Sequence, residues 1–162
     1  MAEILRNFEN NLKKQIEFYK KITSLEREKQ QALVENEIQE IEAITAQEEK
    51  ILLEVSRLEE ERLHWAEFFG KEMSKRAEEI TLGELEQRYP TLQTVRKELE
   101  TEINGLKALH ETNTKLLENA VNLINFTISS LTSERHNTYA NPAEKVAKKE
   151  GNSKISFIDK SV

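Results

Sequence analysis

The sequence contains one stretch without any charged side chain, residues 119–133, called here the uncharged segment. Asp, Glu, Lys and Arg make up 33% of the chain, so a run of this length without them departs strongly from the average composition of the chain. On a helix of 100° per residue, one arc of about 100° collects large apolar side chains: Leu117, Ala120, Val121, Ile124, Ile128 and Leu131. Such a helix is too apolar to stand alone in water, and it is too short to cross a membrane, which takes about 20 residues. It must therefore be covered by protein, either by this chain or by another.

The rest of the chain has the composition of a helical protein. Only four Gly and two Pro occur in 162 residues, and apolar side chains recur with a helical period over long runs. We expect an all-α fold, an antiparallel three-helix bundle or coiled coil of long helices with a flexible C-terminal tail. The expected bounds are about 3–33, 37–79 and 91–133 for the helices of the bundle and 134–162 for the tail.

Short polar signals place the helix ends and the register. Asn36 is a candidate N-cap of the second helix, and Thr81 with Glu84 has the spacing of a capping box. With turns near residues 35 and 85, an up-down-up register places Gly105 beside Trp65. The same register places the uncharged segment against apolar residues of the second helix, Ile38, Ile41, Ile44 and Ile51.

The charge distribution narrows the functional classes. The net charge is −6, and residues 134–162 carry six basic against four acidic residues, which leaves 18 basic and 26 acidic residues in the first 133. An acidic body argues against nucleic-acid binding, which favours a basic surface. The chain contains no Cys, and its first ten residues have no apolar core of a secretory signal. We therefore expect a cytoplasmic protein without membrane insertion.

Motifs for catalysis or cofactor binding are weak. Glu61 and His64 have the Glu-x-x-His spacing of di-metal bundles, but no second such motif accompanies them. His110-Glu111 begins like a zinc-protease helix and lacks the second His. The sequence has no nucleotide-binding loop and no nucleophile elbow. We expect no enzyme activity, no catalytic residue, no metal site and no cofactor.

Three residues of the last helix admit two interpretations. His110 and Asn113 lie on its apolar side, where they either form a polar layer that fixes the helix register or hydrogen-bond the backbone of a bound peptide. Phe126 lies about 180° from the apolar side, so a three-helix bundle leaves it exposed, either as a single surface Phe or as part of a groove for another helix.

The order of several short motifs resembles the FlgN family of flagellar type III export chaperones, from about Leu12 to the end of the chain. Thr138-Tyr139 follows the last helix and Ile158-Asp159 closes the chain, although Ala140 stands where the family often has Gly. The other matching motifs are Leu25-x-x-Glu28-x-x-x-x-Leu33, Ile38, Ile41, Lys50-x-Leu52-Leu53, Leu58-Glu59-x-x-Arg62 and Asn113-x-x-Leu116-Leu117.

The resemblance implies a cytoplasmic chaperone whose C-terminal helix binds the C-terminal segments of hook–filament junction proteins (FlgK-like and FlgL-like) and keeps them soluble and export-competent. It implies that Tyr139 contacts the export machinery. Combined with the apolar pattern, it gives a client-binding set: Asn113, Leu116, Leu117, Ala120, Val121, Leu123, Ile124, Phe126, Ile128 and Leu131. The alternative is a self-associating coiled-coil adaptor or spacer, a homo-oligomer in which the uncharged segment is the interface.

Overall fold

The computed structural model describes residues 1–133, and they form a bundle of α-helices joined by short turns. The elements are α1 (Ala2–Glu35), α2 (Ile38–Met73), α3 (Leu82–Arg88) and α4 (Gln93–Ser133), with single 3-10 turns at Ala77–Glu79 and Pro90–Leu92. The prediction of an all-α bundle of long helices is confirmed. The expected tail lies outside the described residues.

α1 is the central helix, and it packs against both α2 and α4. The turn at Asn36 and Glu37 reverses the chain, so α1 and α2 are antiparallel. The ring of Phe8 near the start of α1 therefore meets the ring of Phe69 near the end of α2, with 5.3 Å between centroids. The connection through α3 reverses the chain again, so α4 runs parallel to α1.

Apolar side chains at intervals of three and four residues build the core. On α4 these are Val95, Leu99, Ile103 and Leu106, preceded by Leu92 in the 3-10 turn, and all five are buried and meet the buried stripe of α1. The stripe of α1 consists of Phe8, Leu12, Ile16, Tyr19 and Ile22. Near the α1–α2 turn only a small cluster remains, made of Leu25, Ala32 and Ile44. The bundle is thus well filled at the end that holds α3 and thinly filled at the other.

Local hydrogen bonds explain where the helices begin and end. Asn36 has φ 56° and its N–H donates to the carbonyls of Ala32 and Leu33, so it terminates α1 in the left-handed conformation that Asn tolerates, instead of capping α2. The capping box is confirmed, because the Glu84 N–H donates to Thr81 Oγ1 at 3.2 Å and the Thr81 N–H donates to Glu84 Oε2 at 3.1 Å.

The expected register of the last helix was wrong. α2 ends at Met73, earlier than residue 79, because Ser74 turns left-handed at φ 54°. The chain therefore reverses early, and α4 lies displaced along α1. Gly105 has no side-chain or distant backbone atom within 4 Å of a Cβ built on it, so it does not face Trp65. Ile38 is 63% exposed, and the uncharged segment does not pack on the isoleucines of α2.

Two substitutions of the same residue type on α4 test this arrangement. Ile103 is fully buried, so Ile103→Ala should lower the free energy of unfolding by about 2–5 kcal/mol, whereas Ile128→Ala, at a position 54% exposed, should change it by less than about 0.5 kcal/mol. Urea denaturation of the full chain followed by circular dichroism measures both. An equal loss for the two variants would mean that the end of α4 is covered in solution.

Candidate functional site

The second half of α4 presents apolar side chains to solvent. Leu117, Val121, Ile124, Ile128 and Leu131, called here the apolar face, are between 47% and 62% exposed. These residues follow one another at intervals of three and four along one side of the helix. A contiguous exposed apolar face of this kind is typical of surfaces that contact another protein.

The register explains why the last three residues of the apolar face, Ile124, Ile128 and Leu131, are bare. Asn113 hydrogen-bonds Glu26, so at equal rise per residue Glu35, at the end of α1, stands beside about residue 122. The last turns of α4 therefore extend roughly 16 Å beyond α1. On their other side, Leu123 and Phe126 are 65% and 70% exposed, so these turns are open to solvent around most of their circumference.

The structure separates the members of the predicted client-binding set. Leu116 and Ala120 are half-buried, and the residues of the apolar face together with Leu123 and Phe126 are exposed. Asn113 differs from the other members, because it is 3% exposed and its Nδ2 donates to Glu26, as expected of a polar layer. Tyr139 lies outside the described residues.

A groove of about 620 Å³ adjoins the apolar face. α1 forms its floor, and α2 and α4 form its two walls, so it opens where these outer helices stand apart. Ile22, Leu52 and Leu106 give it an apolar base, and His110 and Thr114 line the α4 wall. On a helical wheel His110 and Thr114 lie on the same side as Val121 and Ile128. The groove and the apolar face therefore form one continuous surface along α4.

A cluster of polar side chains lies next to the apolar base of the groove, one turn beyond Ile22 along α1. Asn113 Nδ2 donates to Glu26 Oε2 at 2.6 Å and to the Glu26 carbonyl oxygen at 2.6 Å. His110 Nδ1 lies 3.1 Å from Glu26 Oε1. Lys29 Nζ pairs with Glu48 Oε2 and stands 3.7 Å from Glu26 Oε1. These contacts join α1, α2 and α4 through one hydrogen-bonded network.

The network shifts the pKa values of its members in opposite directions. Burial alone would raise the pKa of the Glu26 carboxyl, but hydrogen bonds from His110 and Asn113 and the charge of Lys29 lower it to about 2. Burial raises the pKa of Glu48 to about 7, against the opposing effect of Lys29. The hydrogen bond to Glu26 raises the pKa of His110. Glu48 is thus the least compensated charge of the cluster.

Sequence reasoning offered a polar layer as one of two interpretations of His110 and Asn113, but it missed their partner Glu26 on α1 and the neighbouring pair of Lys29 with Glu48 on α2. A signal for Glu48 was present, because it interrupts the apolar spacing that connects Ile44 with Ile51 and Val55. A charged residue at such a position is buried only when it is paired, which points to a partner across the bundle.

Within residues 1–133, no three His, Cys, Asp or Glu side chains are grouped so that they could hold a metal ion. None of the helices in that range combines the length and apolar character needed to span a bilayer.

Comparison with known proteins identifies one relationship. The family model described as FlgN protein matches residues 1–146, which is most of the chain. No curated protein and no solved structure gives a significant match.

The buried cluster should make stability depend on pH. The folded-state pKa of Glu48 is raised from 4.5 to about 7, so its contribution is complete below pH 4.5 and is lost as pH rises through 7. The raised pKa of His110 acts in the same direction. We expect the free energy of unfolding to fall by about 2 kcal/mol between about pH 5 and 8.

Urea denaturation at a series of pH values measures this decline. Glu48→Gln should make it shallower, while Glu42→Gln, at an exposed position on the same helix, should leave it as in the wild type. An unchanged slope in Glu48→Gln would contradict the assignment. Below pH 4.5, stability should fall again as Glu26, whose pKa is lowered to about 2, becomes protonated.

Proposed function

This chain belongs to the FlgN family, whose members are flagellar export chaperones, and we propose that it binds the C-terminal helical segments of hook–filament junction proteins (FlgK-like and FlgL-like). Binding takes place in the cytoplasm and keeps these clients soluble and competent for export. The family supports the general role as a chaperone of flagellar proteins. The clients, the compartment and the site on this chain are our proposal.

The observation that carries the proposal is the exposed apolar face of α4. A chaperone that holds a segment until export needs an apolar surface that is free before the client arrives and free again after release. The side chains of Leu117, Val121 and Ile124 meet this need, since each is about half exposed. An amphipathic client helix that packs on them buries apolar area on both partners.

The expected affinity follows from the balance of burial and ordering. The client segment folds into a helix when it binds, so the loss of its conformational entropy offsets part of the free energy gained by burying apolar area. A dissociation constant between micromolar and nanomolar is reasonable, or roughly −8 to −12 kcal/mol. Such a complex is stable enough to protect the client and weak enough to be released.

Delivery to the export machinery requires a second surface. We propose Tyr139 for this contact, on the basis of the Thr138-Tyr139 motif that the chain has in common with the family. In the sequence, the residue follows Ser133, the last residue of α4, by six positions.

The rival function is self-association through the same helix. The exposed Leu123 and Phe126 favour it, because they give the end of α4 a second apolar side that a single client helix does not bury. Sedimentation of the full chain over a concentration series separates the two functions. The chaperone proposal expects a monomer or a dimer that dissociates at micromolar concentration, and an obligate dimer that persists at nanomolar concentration would contradict it.

A charge on the apolar face tests the client site directly. Ile124→Asp or Leu117→Asp should weaken binding of the C-terminal peptide of a junction protein by at least about a hundredfold, because the carboxylate would be buried without a partner. Asn122→Asp adds the same charge to the exposed opposite side of α4 and should bind like the wild type. Co-elution and titration with the peptide measure binding, and circular dichroism checks that each variant folds.

A folded Ile124→Asp variant that still binds the peptide as tightly as the wild type would show that the site is elsewhere. Equal loss in Ile124→Asp and Asn122→Asp would show that general charge, and not the apolar face, controls binding.

A further inference from the structure

Glu48 has an unused hydrogen-bonding atom at the wall of the groove. Glu48 is 6% exposed, and its Oε2 atom pairs with Lys29. Its Oε1 atom is buried and has no hydrogen-bond partner among residues 1–133. A buried carboxylate oxygen without a donor raises the free energy of the folded state, so such an atom usually has a partner that binds there.

The partners already present cannot supply the missing donor. Lys29 serves the other oxygen of Glu48 and also lies 3.7 Å from Glu26 Oε1. His110 and Asn113 direct their donors to Glu26. When Glu48 is protonated its carboxyl shares a hydrogen bond with Glu26, but the ionised carboxylate needs a further donor, which can reach it through the open side of the groove.

The charge of the groove favours a cation in that place. Its lining contains five carboxylates (Glu26, Glu48, Glu49, Glu111 and Glu118) against three lysines and one His. An ammonium or guanidinium group that enters would offset this excess and would donate a charge-assisted hydrogen bond.

We propose that the groove binds a continuation of the client helix and that Glu48 Oε1 accepts a hydrogen bond from a Lys or Arg of the client. This inference rests on the proposed function, because it extends the client from the apolar face into the groove. Glu48 then contributes specificity, since a client without the cation would leave the Oε1 atom of the ionised carboxylate without a donor.

The geometry predicts where the cation lies in the client sequence. His110, at the level of the buried cluster, and Ile124, in the middle of the apolar face, are 14 residues apart on one helix. That distance is roughly 21 Å, which a client helix lying along α4 also covers in about 14 residues. The Lys or Arg should therefore stand about two heptads from the client residue that packs on Ile124.

The test combines one variant of the full chain with variants of the probe. The probes are synthetic C-terminal peptides of the junction proteins encoded in the same genome, each with one Lys or Arg replaced by Met. Glu48→Gln keeps the shape of the side chain and removes its charge, and it should weaken binding of the unmodified peptide about tenfold. Glu42→Gln, exposed on the same helix, should have no effect.

One peptide position should be coupled to Glu48. Its Met variant should bind the wild type about tenfold more weakly and should bind Glu48→Gln no more weakly than the unmodified peptide does. Because the peptide variants leave the chaperone unchanged, this result does not depend on the stability of Glu48→Gln, which a thermal melt checks separately.

Three results would overturn the inference. Glu48→Gln could bind the unmodified peptide as tightly as the wild type, or every Met substitution could act additively with it. Tighter binding by Glu48→Gln would show that the chain's own C-terminal residues or a second copy occupies the groove.

If Ile124→Asp abolishes binding while one of these results is found, the proposed function stands and only the role of Glu48 fails. If Ile124→Asp has no effect, the proposed function fails first.

Discussion

The hydrogen bonds between Asn113 and Glu26 determine how α4 stands along α1, and the exposed surface of the protein depends on this register. Both partners are buried, so a shift of α4 by one turn would leave a carboxylate and an amide without partners in the core. Leucine and isoleucine contacts alone would tolerate several registers, because they recur at every turn. The polar pair selects one of them, and in that register the end of α4 extends past the bundle.

The two parts of the resulting surface would bind a partner through different interactions. The apolar face offers non-directional hydrophobic contact, so it suits any amphipathic helix of the right length. The groove offers the buried carboxylate of Glu48, whose pKa of about 7 reflects burial that Lys29 only partly offsets. Apolar area supplies most of the affinity in such a combination, and the polar group distinguishes one partner from another.

Periodicity and capping patterns predicted much of the fold, since they depend only on neighbours in sequence. The long helices and the Thr81–Glu84 capping box are examples. The register was not predictable in this way, because it depends on the hydrogen bonds between Asn113 and Glu26, which are 87 residues apart, and on the left-handed turn at Ser74, a position that carries no Gly. The uncharged segment indicated an apolar helix that needs cover, and the structure shows the helix, but whether this chain supplies the cover depended on that register. The pairing of Glu48 with Lys29 was missed because it joins residues on two helices.

The length of α4 has a consequence for how its last turns form. Starting a helix is costly, whereas each residue added to an existing helix needs only one further hydrogen bond. The packed first half of α4, from Val95 to Asn113, therefore acts as a nucleus from which the remaining turns propagate without tertiary support. A protein that docks on these turns meets a preformed template, so the entropy lost on association falls mainly on the incoming segment.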